Sequence, residues 1–300
     1  MRVLVLLACL TSTASASASV EDGWLDQLTA RVIDDLAAGM PLVVETHVPL
    51  CDNSIIACGN KKLGDGDNPD TNLYWATTPG FGEWFTHRAD TGWSRVLHRR
   101  GAATGNANVV AIDVYRRTVA APAAWVKRGA PKRFAIDIVV HGWRGKAIDA
   151  ALAAYATDVS GGPARDLVLD DGSAVHAGGA AQLVAWVGHN RLMDLDAFAW
   201  PRPGVKVIGM IAIACETAAY MEREVSAATR VPLLMTRDLL FSNAAPLEAT
   251  VLAFAGGTGY ATMRADAVTA YAGVQNEPAK RLHGVFTNPS DKRWNGKSNP

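Results

Sequence analysis

Four apolar runs in the second half of the chain constrain its fold more than any other feature. They are FAIDIVVHG (134–142), AQLVAWVGHN (181–190), VKVIGMIAIAC (205–215) and VPLLMTR (231–237). Their near-continuous hydrophobicity fits strands buried on both faces. Helix-period segments separate or follow them: 146–159, 216–229, 246–257 and 264–275. Strands alternating with helices imply βαβ units and a mostly parallel sheet covered on both sides.

The first half is less regular. Residues 21–39 carry Trp24, Leu28, Val32 and Leu36 at helical spacing, with Gly39 as a stop, and PLVVETHVPL then reads as a strand. A long excursion rich in Gly, Asn, Asp and Pro occupies 51–82, and the loop-rich segment reaches to about 108. GWSRVLHRR and NVVAIDVYRRTV read as two strands around a Gly/Asn turn, and AAWVKRG as an edge element. The segment near 192–199 reads as a short helix, and the tail from Asn288 as polar and loose.

The N-terminus reads as an export signal. Arg2 precedes an apolar core, Val3 to Leu10, and Ala16-Ser17-Ala18 fits the small-x-small cleavage pattern. Residues 1–18 are therefore expected to be removed, leaving one domain over 19–300 in the periplasm or outside the cell. Leu6-Leu7-Ala8-Cys9 is a weaker lipoprotein-like alternative. No stretch reaches the roughly 20 apolar residues of a membrane span. The chain has 29 basic and 29 acidic residues and no basic cluster beyond Arg99-Arg100 and Arg116-Arg117. This balance argues against nucleic acid as a partner.

Export also sorts the cysteines. Cys51 and Cys58 lie close together in a loop and are the natural disulfide pair, which isolates Cys215 as the odd thiol. In open parallel sheets, sites form at the carboxyl ends of strands. One strand here ends at His189 and the next at Cys215. Side by side, they would make a dyad in which the imidazole takes the thiol proton. A helix beginning near Glu216 would favour the thiolate, and backbone N–H groups there and at Asn190 could hold an oxyanion.

A strand ending in His followed by a strand ending in Ala-Cys resembles the caspase-like (clan CD) cysteine peptidases, including metacaspases and gingipains. The resemblance covers about 134–255 and implies a three-layer α/β/α sandwich, a peptide or protein substrate, no cofactor and no metal. The family has His-Gly where this chain has His189-Asn190. The first half, through LCDN and NPDTNLYW, resembles an uncharacterised bacterial protein family that also carries a GHN motif, here at 188–190. The expected activity is that of an exported cysteine endopeptidase, with a catalytically inactive caspase-like binding module as the alternative.

Other residues give competing readings. His141-Gly142 also ends a strand, and Arg144 in the following turn could line a site. FAIDIVVHGW resembles an α/β-hydrolase strand and oxyanion loop, which would pair Cys215 with His283. Ile213 and Thr217 occupy positions where that nucleophile turn needs small residues. Asp65, Asp67 and Asp70 form a weak Ca²⁺ candidate, read mainly as a solvated turn. His47 near Asp52 is a further polar pair. No His/Cys spacing points to zinc.

Overall fold

The computed structural model describes residues 20–87, 91–224 and 229–294. The expected signal peptide and Cys9 lie outside them. Helix α1 (Val20–Ala37) buries Trp24, Leu28, Val32, Ile33 and Leu36. It stops as its sequence predicts. Gly39 takes φ 84°, Gly39 N–H donates to Leu36 O, and Met40 N–H donates to Asp35 O. These bonds satisfy the last carbonyls, and only glycine adopts that φ without strain.

The chain then enters β1 (Leu42–Pro49), every residue of which is buried. The loop excursion carries a short helix, α2 (Phe81–Trp84). It leads to β2 (Ser94–Arg100), β3 (Val109–Ala120), α3 (Ala123–Lys127) and β4 (Arg133–Trp143). Helix α4 (Ile148–Val159) precedes a hairpin, β5 (Ala164–Val168) and β6 (Ala174–Gly178). Then follow β7 (Leu183–Val187), β8 (Ile208–Ile213), α5 (Thr217–Met221) and β9 (Arg230–Thr236). The chain closes with α6 (Ala245–Ala255), α7 (Tyr260–Gln275), α8 (Ala279–Leu282) and β10 (Phe286–Thr287).

Eight strands form one mixed sheet in the order β10-β9-β8-β7-β1-β4-β3-β2. The five central strands run parallel, while β2, β3 and β10 complete the edges antiparallel. Period-two alternation divides the core between the faces. Leu42, Val44 and Val48 of β1 join a cluster with α1, α6 and α7; Val43 joins another with α4. The chain leaves β1 toward β4, then recrosses through α4 to β7 on the opposite side of β1. That reversal makes the β1/β7 boundary a topological switch point.

Several segments differ from their sequence reading. The 123–127 segment is helical rather than an edge element. Of the helix expected over 216–229, the described residues are α-helical over Thr217–Met221, and 225–228 lie outside the described residues. The segment near 192 is a single 3₁₀ turn, Arg191–Asp194. The β5/β6 hairpin was not foreseen, although Asp171-Gly172 at its tip is a turn signal; Gly172 takes φ 83° there. The tail is anchored: buried Asn288 donates through Nδ2 to Leu233 O and Tyr260 O.

The excursion after β1 is pinned rather than loose. Cys51 and Cys58 are joined by a disulfide, as expected. Buried Asn72 accepts from the N–H groups of Cys51 and Tyr74 and donates to Cys51 O and Asp65 O. Breaking the bridge with a Cys51→Ser/Cys58→Ser double variant frees a loop of sequence separation 7. By chain entropy this should lower stability by about 2–3 kcal/mol. Urea unfolding of both proteins, with and without reductant, checks it: reductant should bring wild type down to the variant. Among the described residues, no helix is long and apolar enough to cross a membrane.

Candidate active site at the carboxyl edge of the sheet

Strands β7 and β8 are parallel neighbours, with Val187 level with Ile213. The paired register ends there; His189 and Cys215 each lie two residues beyond it, and Gly188 takes φ 153° just before His189. The two strand ends are also tied together. Asn190 Nδ2 donates to Cys215 O at 2.7 Å, and Asn190 Oδ1 accepts from Leu192 N–H. Ser242 Oγ lies 2.7 Å from Gly188 O and 3.2 Å from Ile213 O. Asn190 is fully buried, so its side chain acts as a brace between the strands.

His189 is held in one orientation. Its Nε2 lies 2.6 Å from Asp194 Oδ2, and Trp186 Nε1–H donates to the His189 carbonyl at 3.1 Å. Asp194 is held in turn by Arg191, which pairs with Asp149. With Nε2–H donated to Asp194, Nδ1 remains as the acceptor. The carboxylate thus fixes the tautomer and would stabilise a protonated ring. The sequence reading missed Asp194; its only trace there is a carboxylate five residues beyond a strand-end histidine.

Cys215 is half-buried, and its S–H points at Leu240 O, 3.7 Å away. Tyr74 and Tyr271 wall the same region. Burial pushes both phenols above their ordinary range, and the neighbouring Cys215 adds to the rise in each. Glu216, the next residue, sits in the left-handed region at φ 50°. For a residue with a Cβ this stores on the order of 1–3 kcal/mol of backbone strain.

The backbone beyond Cys215 does not offer what the sequence suggested. Glu216 N–H donates to Asp238 O, and Thr217 N–H donates to Thr236 Oγ. Both donors are therefore engaged within the protein. Helix α5 has only five residues and supplies no substantial dipole.

The remaining candidates lie apart from Cys215. His141 lies inside β4, two residues before its end at Trp143, and is separated from β8 by β1 and β7. Arg144 pairs with Asp67 at 2.7 Å and donates to Ala107 O. Asp67 is therefore neutralised, and Asp65 Oδ1 caps Asp67 N–H, so the Asp65, Asp67, Asp70 loop is an internally bonded turn. Asp52 accepts from Ser54, while His47 turns to Asp158 instead. His283 caps α8 and lines a cavity of about 330 Å³ with Ala261, Arg264 and Lys280, a lining that does not include Cys215.

No protein-family model, curated protein or solved structure matches the chain.

Proposed function

We propose that the chain is an exported cysteine endopeptidase of the caspase-like, three-layer type, with Cys215 as nucleophile and His189 as general acid/base. The observation that supports this reading is the parallel pairing of β7 and β8, from whose carboxyl ends His189 and Cys215 both emerge beside a topological switch point. Strand carboxyl ends at such a point are where open α/β sheets bind ligands. The Asp194 grip on His189 supports it, because a general base needs a fixed tautomer. The Cys51–Cys58 bridge supports an oxidising compartment.

In the proposed reaction, His189 Nδ1 takes the thiol proton as Sγ attacks the peptide carbonyl. The protonated ring then passes that proton to the leaving amine. Water, deprotonated by the same nitrogen, hydrolyses the thioester and restores the thiol. With the N–H groups of Glu216 and Thr217 engaged, the oxyanion is assigned in this reading to the backbone N–H groups of Cys215 and Asn190.

One observation favours the non-catalytic module instead: the S–H of Cys215 is already donated to Leu240 O. Alkylation with iodoacetamide separates the two. In the folded protein, Cys215 should alkylate rapidly below pH 7, and His189→Ala should slow labelling by about 100-fold or more. Labelling that requires denaturation would remove the enzyme reading and leave the module.

A further inference from the structure

A second cluster of ionisable groups lies under the α4 face of the sheet, and the Cys215 chemistry does not use it. Glu45 and His47 alternate along β1 and so project to the same face. His141 arrives from β4, Asp158 from α4 and Arg165 from β5. His47 Nε2 lies 2.9 Å from Asp158 Oδ2 and 3.8 Å from Glu45 Oε1. Arg165 reaches Glu45 Oε1 at 2.7 Å and also contacts both oxygens of Asp158. Glu45, His47 and Asp158 are fully buried.

Hydrogen bonding within the cluster is incomplete. Glu45 Oε2 and His47 Nδ1 are buried with no hydrogen-bond partner. His141 Nε2 lies 3.0 Å from Glu45 Oε1, yet is not aligned for a hydrogen bond. Native interiors seldom leave such groups unpaired, and each orphan calls for an explanation. The two buried carboxyl groups share a single guanidinium, that of Arg165.

We propose that Glu45, His47 and Asp158 bind a divalent transition-metal ion of the zinc type. One ligand atom from each lies within 4.8 Å of the others. Bonds of about 2.0–2.1 Å to a tetrahedral ion set its ligand atoms about 3.3 Å apart. The contacts of 2.9 and 3.8 Å around His47 Nε2 bracket that spacing. One imidazole with two carboxylates suits such an ion better than Ca²⁺, which takes 6–8 oxygens. Arg165 is the cation now balancing the carboxylates, and its side chain is 37% exposed, so it can withdraw. His141, Trp143 and Arg165 line an adjoining cavity of about 420 Å³, which supplies an entry path and room beside the ion.

The test is a Co²⁺ titration of the chelator-treated, full-length mature chain in a Cys215→Ser background, so that the free thiol is not a ligand. The expected result is one equivalent of Co²⁺ with visible bands of low-symmetry four-coordinate geometry, displaced by Zn²⁺. His47→Gln should weaken binding by more than about 100-fold, beyond the loss typical of outer-shell groups. Asp158→Asn serves in its place should His47→Gln fail to fold. Arg165→Ala should tighten binding, because it removes the competing cation. A folded parent chain that takes up no Co²⁺ overturns the proposal. So does binding undiminished in the ligand variant.

Discussion

Replacing Glu45 with alanine is expected to destabilise the metal-free protein by about 3–5 kcal/mol. The lower end applies because Arg165 can turn to water once released. Glu45 is fully buried in the central strand, and its carboxylate is the common partner of His141, Arg165 and His47. Removing it takes away the carboxylate that faces His141 and leaves Arg165 and His47 to share Asp158 alone in a low-dielectric interior. Burial alone would raise its pKa. His141, His47 and Arg165 outweigh burial and hold it well below the ordinary carboxylate range.

The sign of the pH dependence follows. A folded-state pKa below the unfolded value, about 4.3 for Glu, means the unfolded state takes up protons first as pH falls. The stability contributed by Glu45 is therefore fully present at neutral pH. It fades as pH falls below about 5, and continues to fade toward the depressed folded value. Urea unfolding of wild type and Glu45→Gln at pH 7, 5 and 3 should show a gap that narrows steadily with acidification. A gap independent of pH would remove the ion-pair account.

Trp186→Ala is expected to cost about 3–5 kcal/mol, the range for deleting a large buried aromatic. Trp186 is fully buried on β7 and packs at 5.8 Å against the ring of Tyr155. Its indole N–H also holds the carbonyl of His189. The variant should thus loosen the candidate site along with the core. Trp186→Phe separates the two effects, because it keeps most of the apolar volume and removes only the donor. It should cost about 1–2 kcal/mol and still slow the labelling of Cys215. Thermal or urea melts measure the first effect, and alkylation at pH 6.5 the second. If Trp186→Phe labels at the wild-type rate, the indole bond does not position His189.

The candidate dyad could be read from the sequence because its two residues end consecutive strands, and consecutive parallel strands usually pair. What braces that dyad was less visible. Asp194 acts through a 3₁₀ turn, whose single hydrogen-bonded loop leaves no periodic trace. Ser242 reaches Gly188 and Ile213 from 29 or more residues away in the chain. The engaged N–H groups of Glu216 and Thr217 depend on how β9 and the loop at Asp238 pack against α5.

The Glu45 cluster was hidden for a related reason. Its members come from β1, β4, α4 and β5, and the Arg165–Glu45 pair alone spans 120 positions. His47 was matched to nearby Asp52, whereas the fold gives it Asp158.

Local energetics therefore account for what the residues alone could say about this protein. Periods of 2 and 3.6 mark its strands and helices, Gly39 stops α1, and two neighbouring cysteines form a bridge. The tertiary structure decided the strand order. Inserting β1 between β4 and β7 is a long-range pairing choice that no local pattern encodes. That choice brings two carboxylates, a histidine and an arginine together beneath α4.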